Sequence, residues 1–155
     1  MRRAEKELAE STQIEEILRK ADVIRLALFD GKEPYIVPLL YGYDGEQLYF
    51  HSAGEGRKIE ILRSNPRVCF ECEIDVRIKP SDKICSWSLQ YRSVVGYGVV
   101  RFLTDPAEKR KAMETLLDHY TDPPYDIEDT TLQRTCMFVV EIESLCGKSS
   151  PVPKV

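Results

Sequence analysis

The residues best suited to chemistry lie in one stretch, residues 51–66, where a strand ends, a glycine-containing turn follows and a short helix begins. Arg57 and Lys58 fall in the first turn of that predicted helix. Two cations there oppose the helix dipole, so they are unfavourable unless an anion lies against the free backbone N–H groups. The pattern predicts a phosphate-binding corner in which Gly54 and Gly56 allow close backbone approach. The alternative is a solvated helix start with two exposed basic residues, because short basic-glycine motifs are common.

The five cysteines do not suggest a disulfide framework, because their number is odd and several lie in strand-like apolar runs. Cys69 and Cys72 have the spacing of a zinc knuckle or a redox pair. Within a strand, however, positions three apart point to opposite faces, which argues against shared metal ligation. We therefore expect core or edge thiols and no metal site.

Several elements must position the corner, and the first half of the chain predicts one helix followed by three strands. Thr12 to Glu15 has the pattern of a capping box, and apolar residues at helical spacing follow it. This predicts a helix over residues 13–20. Asp-Gly pairs at residues 30–31 and 44–45 are hairpin signals. The predicted strands cover residues 23–29, 34–43 and 47–52.

The second half predicts more strands and one long helix. Residues 67–75 form a strand with alternating apolar residues on one face, and residues 76–90 are predicted as a long loop. Gly96 and Gly98 interrupt the strand predicted for residues 91–103, which indicates a bend or bulge and open space for a flat ligand. Asp105 as N-cap predicts a helix over residues 106–120. A loop over 121–134, a strand over 136–145 and a polar tail with Gly147 and Lys148 complete the prediction.

Neighbouring strands joined by hairpins exclude a doubly wound parallel sheet. We expect a mainly β fold: a barrel of six or more antiparallel strands, closed or partly split, with about three flanking helices. A small barrel has little interior room for a large ligand, so a cofactor would lie outside it or in a dimer groove.

Composition narrows the class of protein. A chain of 155 residues predicts a single domain over residues 1–155, with residues 1–10 flexible and residues 149–155 a tail. It contains no apolar run of about 20 residues and no signal-peptide pattern, so we expect a cytoplasmic protein. A net charge of −4 gives no general attraction to nucleic acid or anionic membrane.

Five segments of the chain have a characteristic order and spacing. They are Pro34-Tyr35-Ile36-Val37-Pro38-Leu39, Leu48-Tyr49-Phe50-His51-Ser52, Gly56-Arg57-Lys58, Asn65-Pro66-Arg67-Val68 and Tyr91-Arg92-Ser93-Val94-Val95-Gly96-Tyr97-Gly98. No single segment is diagnostic, but their order and spacing are. Together they resemble the pyridoxamine 5′-phosphate oxidase-like FMN-binding split-barrel family, and most closely its branch of nitroimidazole-resistance (Nim) proteins. The resemblance covers residues 14–148 and implies a Greek-key-like split barrel.

The resemblance implies FMN as the cofactor and a homodimer with FMN at its interface. By position, Arg57 and Lys58 would bind the FMN phosphate, in agreement with the dipole argument. The other implied contacts are Val37, Pro38 and Leu39 along the isoalloxazine ring, His51 and Ser52 at the ribityl chain and phosphate, Ser93 near the ring, and Trp87 and Tyr91 as flat apolar walls.

The chain departs from the pyridoxamine phosphate oxidases proper, because it lacks their C-terminal Trp and Arg segment, which puts vitamin B6 oxidation in doubt. We expect a flavin-dependent reductase that passes electrons from a nicotinamide donor to a small acceptor such as a nitroaromatic. His51 could relay a proton to the reaction or make only a cofactor or packing contact. The alternatives are a flavin-binding module without turnover, the same fold with deazaflavin F420 or haem, and a structural barrel with a surface basic pair.

Overall fold

The computed structural model describes residues 4–8 and 10–150. Over this part of the chain the structure has eight β-strands and four α-helices. The strands are β1 (Glu7–Leu8), β2 (Ile24–Phe29), β3 (Pro34–Leu39), β4 (Gly42–Tyr43), β5 (Gln47–Ser52), β6 (Arg67–Lys79), β7 (Ser88–Leu103) and β8 (Cys136–Ser150). The helices are α1 (Ser11–Lys20), α2 (Arg57–Ser64), α3 (Pro106–Asp118) and α4 (Asp129–Arg134), with short 3-10 turns at Ala4–Lys6 and Ile84–Ser86.

All eight strands belong to one antiparallel sheet, in the order β3-β2-β6-β7-β8-β5-β4, with β1 paired to the end of β8. The sheet does not close, since β3 and β4 are its two ends. This confirms the prediction of a mainly β, antiparallel split barrel. The described residues form four α-helices where about three were expected, because α4 lies inside the segment predicted as a loop.

The two Asp-Gly turns form as predicted, through side-chain hydrogen bonds to the backbone. Asp30 Oδ1 accepts from the backbone N–H groups of Lys32 and Glu33, each at 2.8 Å. Asp44 Oδ1 accepts in the same way from the residues two and three positions further on. An aspartate that satisfies two turn N–H groups fixes the hairpin locally, so the turn is readable from sequence.

The inner face of the sheet buries the main core. The alternation predicted for β6 is confirmed: Val68, Phe70 and Cys72 are buried, and Ile74 packs against them. Helix α1 adds its apolar stripe to the same cluster. A register shift in the β7–β8 pairing falls next to Gly98, which confirms the predicted irregularity in β7.

Three local expectations are wrong. Helix α1 begins at Ser11, before Thr12, and its N-cap residue Glu10 makes no side-chain capping bond, so the capping box does not form. The loop predicted over residues 76–90 is shorter than expected: β6 and β7 continue as a paired arm up to Lys79 and Ser88, and residues 80–87 connect them. The first part of the expected tail is strand instead, because β8 continues to Ser150 and its Gly147 pairs with β7 and β1; residues 151–155 of that tail lie outside the described residues.

The outer face of the sheet is covered at one end only. A second apolar cluster lies where α3 and α4 cover β5 and the first half of β8. Asp105 caps α3 as predicted, with its Oδ1 accepting from Ala107 N at 3.0 Å and Glu108 N at 2.9 Å. Within the described part of the chain, no helix lies over the outer face of β3, β2, β6 and the first half of β7. None of the described helices has the length and apolar character needed to cross a membrane.

Candidate functional site

Helix α2 begins where the sequence predicts it, directly after the end of β5. Gly56 is its N-cap residue, with a φ of 105° that side-chain-bearing residues rarely adopt. No side chain caps this helix. The Gly56 carbonyl accepts from the N–H groups of Ile59 and Glu60, so those of Arg57 and Lys58 have no intrahelical acceptor. The helix start therefore presents free N–H groups suited to an anion.

The guanidinium of Arg57 already has partners within the chain. Its Nη2 lies 3.4 Å from Asp30 and 3.1 Å from Glu33, both at the β2–β3 turn. It also lies over the Tyr35 ring, 4.8 Å from the centroid. The sequence did not reveal these partners, because they are 24 and 27 positions away. Exposed ion pairs such as these are weak, so Arg57 can exchange them for a phosphate at small cost.

Lys58 differs from its neighbour. It is half-buried, and it forms no hydrogen bond or ion pair within the described part of the chain. Burial lowers the pKa of its ammonium, and the nearby Cys136 thiol opposes that effect. An anion at this position would supply the counter-charge that the fold does not provide.

The end of β5 lies beside Lys58. Ser52 pairs in register with Cys136, the cysteine next to that lysine, and Ser52 is half-buried. His51 pairs with Met137 and its side chain is exposed. The structure thus places the predicted phosphate and ribityl residues at one corner, with the His51 imidazole open to solvent.

Strand β3 runs from this corner along the edge of the sheet. Its alternation turns Val37 and Leu39 toward the core, where both pack, and leaves Ile36 and Pro38 exposed. The apolar surface that β3 offers outward therefore comes from Ile36 and Pro38, whereas Val37 and Leu39 are limited to backbone contacts.

The other predicted residues lie on the arm and on β7. A small pocket of about 210 Å³ on the outer face includes Tyr91 and Ser93 in its lining. Ser93 is only 8% exposed. Trp87 is exposed outside this pocket, and its indole N–H donates to the Ser81 carbonyl at 2.9 Å. Tyr91 therefore lines a pocket, whereas Trp87 lies on the arm.

The same pocket contains charged residues that the sequence analysis missed. Glu71 and Glu73 line it, and Nη1 of Arg25 lies 3.2 Å from the first carboxylate and 2.7 Å from the second. Burial, followed by the neighbouring Glu73, raises the pKa of Glu71 to about 7, although Arg25 acts to lower it. A signal was present: two acids two positions apart share one face of a strand, which is unfavourable without a cation on the neighbouring strand.

Strand pairing connects the corner to the pocket. Arg25 of β2 pairs with Pro38 of β3 on one side and with Glu71 of β6 on the other. Glu73 pairs in turn with Ser93 of β7. Three strand spacings of about 4.8 Å separate β3 from β7, or roughly 14 Å. This distance is measured across the sheet only. The corner and the pocket also lie at different levels along the strands, because Arg57 lies over Tyr35, which pairs with Leu28, whereas Ser93 pairs with Glu73.

Other features of the described residues do not extend this site. A larger cavity of about 420 Å³ lies between α3 and α4, where Lys109 donates to the Gln133 carbonyl and Arg110 pairs with Asp129. Residues 4–8 and 10–150 contain no group of three or more His, Cys, Asp or Glu arranged to hold a metal ion. All five cysteines are free.

Comparison with known proteins identifies the fold family. The sequence profile described as pyridoxamine 5′-phosphate oxidase matches residues 10–149. A Bacteroides thetaiotaomicron structure named as a "putative 5-nitroimidazole antibiotic resistance protein" is 31% identical, with 92% of this chain and 85% of that chain covered and a TM-score of 0.82. An FAD-binding protein from Mesorhizobium loti is 26% identical, with 94% and 97% covered and a TM-score of 0.67.

A more distant structure has the same fold. The FAD- and heme-binding protein from Mycobacterium smegmatis is 16% identical, with 97% of this chain and 76% of that chain covered and a TM-score of 0.84. An uncharacterized protein from Rhizobium meliloti is 40% identical over 55 residues, a match that spans 36% of each chain.

Since the family profile covers nearly the whole described chain, which folds as an antiparallel split barrel, this protein belongs to the pyridoxamine 5′-phosphate oxidase family.

Proposed function

We propose that this protein binds FMN and acts as a flavin-dependent oxidoreductase, reducing a small acceptor such as a nitroaromatic with electrons from a nicotinamide donor. The observation that carries the proposal is the corner at α2, where an uncapped helix start meets a half-buried lysine that has no counter-ion among residues 4–8 and 10–150. The similarity to the FAD-binding protein from Mesorhizobium loti supports a flavin-related role, and the similarity to the "putative 5-nitroimidazole antibiotic resistance protein" from Bacteroides thetaiotaomicron supports a nitroaromatic acceptor.

Different residues of the chain bind the phosphate and the ring of FMN. Lys58 and the free N–H groups of α2 hold the phosphate, and Arg57 joins them by leaving Asp30 and Glu33. The flat ring lies along the outer face from Pro38 toward Ser93. When bound, the flavin supplies the electron transfer, while the protein supplies orientation and a partly dry environment.

His51 is the candidate proton relay. Its side chain is exposed at the end of β5, so it can exchange protons with solvent. Histidine is the side chain that enzymes use most often for general acid–base catalysis. A His51→Gln variant with unchanged FMN affinity and reduced acceptor turnover would support this role; unchanged turnover would leave His51 a contact residue.

We propose that the functional unit is a homodimer. Large apolar side chains lie exposed on the outer face and the arm, among them Ile36 at 63%, Ile78 at 68%, Trp87 at 55% and Tyr97 at 52% exposure. A second copy would cover these side chains and enclose the ring. Light scattering during gel filtration tests this: a monomer at all concentrations contradicts it.

The first experiment is the visible absorption spectrum of the purified protein, with identification of whatever heat denaturation releases. Flavin bands and released FMN support the proposal. A colourless protein that takes up no added FMN overturns it. A strong band near 400 nm indicates haem instead, since haem absorbs there.

Site variants test the corner directly. Arg57→Ala combined with Lys58→Ala should abolish FMN binding and the thermal stabilisation that FMN confers, because the phosphate loses both cations. Riboflavin, which lacks the phosphate, should bind wild type and the double variant equally. Equal FMN binding by both proteins would mean that the basic pair is only a surface feature.

Turnover separates an enzyme from a binding module. Oxidation of NADH or NADPH is followed with and without a nitroaromatic acceptor, using protein loaded with FMN. Acceptor-dependent oxidation supports the reductase proposal, whereas loaded protein without turnover indicates a storage or sensing role. Reconstitution with F420 in the same assay tests the remaining cofactor.

A further inference from the structure

We propose that Glu71 is a further residue of the flavin site: Arg25 holds it beside Glu73 in the pocket lined by Ser93, where it faces the bound ring as a carboxylic acid. Binding of a flavin then takes up one proton from solvent at this carboxylate. This inference rests on the proposed FMN-binding function, and it concerns residues to which that function assigns no role.

The geometry places two carboxylates against one guanidinium. Glu71 and Glu73 lie on the outer side of β6, and both contact the same nitrogen of Arg25 on β2, at 3.2 Å and 2.7 Å. Their side chains are 34% and 28% exposed, so solvent only partly screens their mutual repulsion. One arginine can compensate one full negative charge, and sharing a proton between the acids removes the excess.

Ser93 independently indicates that this pocket receives a ligand. It pairs across the strands with Glu73, and it is 92% buried given its 8% exposure. None of the hydrogen bonds among residues 4–8 and 10–150 involves its hydroxyl, which lines the pocket. The hydroxyl is not sealed from water, since no fully buried side-chain polar atom of the described residues is unsatisfied; it opens into the pocket, where it can donate to or accept from a ligand. Val76 and Leu89 add apolar walls, so the pocket fits a flat ring with a polar edge.

The charged and titratable groups around Glu71 come from four strands: Arg25 on β2, Glu73 on β6, Tyr91 on β7 and Lys148 on β8. The Lys148 ammonium lies 5.9 Å from the centroid of the Tyr91 ring. In the free protein, burial and Glu73 already raise the pKa of Glu71 to about 7. An uncharged ring laid over the pocket excludes more water, so it further favours the neutral acid.

The direction of the pH dependence follows from proton linkage. Binding converts the Glu71 carboxylate and one solvent proton into the carboxylic acid, and no other bond changes. The pKa of Glu71 is then higher in the complex than in the free protein. Affinity is therefore greatest below the free-protein pKa and declines as pH rises through the pKa of the complex. Each unit by which the ring raises this pKa corresponds to a roughly tenfold weaker Kd at high pH.

The test measures flavin binding by fluorescence quenching and calorimetry between about pH 5.5 and 9, a range that spans the expected transition. Riboflavin is the main probe, because the FMN phosphate itself titrates near pH 6. Calorimetry in buffers of different ionisation enthalpy counts the protons taken up. Glu71→Gln mimics the neutral acid, and Glu143→Gln is the matched control, since Glu143 pairs with Arg67 at 2.8 Å outside the pocket.

We expect wild type and Glu143→Gln to bind riboflavin about tenfold more weakly at the upper end of this range, with proton uptake near neutral pH. Glu71→Gln should bind riboflavin with the same affinity at every pH in this range, and its binding should take up no proton. Glu73→Gln should move the transition to lower pH, because Glu71 loses its repelling neighbour. Circular dichroism confirms that each variant is folded.

The outcomes distinguish this inference from the proposed function. If wild type binds flavin but Glu71→Gln has the same pH profile and proton uptake, the role of Glu71 is refuted and flavin binding stands. If wild type binds neither FMN nor riboflavin at any pH, both proposals are overturned.

Discussion

Gly96→Ala tests whether the bend in β7 is packed by the chain itself or leaves space for a ligand. A Cβ at this position would lie 2.2 Å and 2.5 Å from ring atoms of Phe70 and 2.9 Å from the Leu145 side chain. Carbon atoms in ordinary contact are about 3.5–4.0 Å apart, so the ring would have to move by roughly 1.3 Å. Phe70 is 1% exposed and lies in the main core, where such a movement displaces other side chains.

The magnitude follows from two opposing effects. Overpacking a well-filled core costs about 1–3 kcal/mol. Replacing a strand glycine by alanine recovers about 0.5–1 kcal/mol of that through lower chain entropy in the unfolded state. Because the contact with Phe70 is so short, we expect a net loss of about 2 kcal/mol in the free energy of unfolding, or roughly 4–8 °C in Tm.

Urea denaturation of Gly96→Ala and Gly54→Ala provides the measurement and its control. A Cβ at Gly54 has nothing within 4 Å and no positive φ to strain, so this variant should remain within about 0.5 kcal/mol of wild type. Equal stability of the two variants would refute the packing argument. A stable Gly96→Ala that no longer binds flavin would restore the sequence-based idea that the glycine makes room for the ligand.

Three further predictions concern charge and capping. Glu16→Gln should lower the free energy of unfolding by up to about 1 kcal/mol near pH 7, because Arg92 and other partners on a partly exposed surface lower the pKa of Glu16 from 4.5 to about 2. Urea denaturation should show the full difference from wild type at pH values above the pKa of Glu16 in the unfolded chain. The difference should disappear as the pH falls through the pKa of Glu16 in the folded protein. Lys58→Ala should weaken FMN binding by about 10- to 100-fold without changing riboflavin binding, while the exposed Lys111→Ala changes neither in fluorescence titrations. Asp105→Ala should lose about 1 kcal/mol of unfolding free energy, because two N–H groups of α3 lose their acceptor; an unchanged denaturation midpoint would contradict this.

Features that depend on a few neighbouring residues could be predicted from the sequence. The turns at Asp30 and Asp44 and the cap at Asp105 each involve hydrogen bonds within three positions. The burial alternation of β6 repeats every two residues, so it is visible in the pattern itself. The start of α2 at Arg57 follows from a strand, a glycine turn and a proline stop in close succession.

The remaining features of the fold depend on contacts between segments that are far apart in the sequence. Residues 76–79 and 88–90 of the predicted loop are strand, because β6 and β7 satisfy each other's backbone groups there, although local propensity favours a loop. The space beside Gly96 is filled by Phe70, which is 26 positions away in the chain but directly opposite in the sheet. Neither outcome is encoded in a local pattern, since each depends on strand register.

For the candidate site, too, some features could be predicted from the sequence and others are visible only in the tertiary structure. Residue types and order alone identified the basic pair Arg57 and Lys58, because charge at a helix start is a local property. Only the tertiary structure distinguished the two, giving Arg57 carboxylate partners from the β2–β3 turn and leaving Lys58 without one among the described residues. It likewise brought Arg25 between Glu71 and Glu73, since a cation shared across strands exists only after three-dimensional pairing fixes the register.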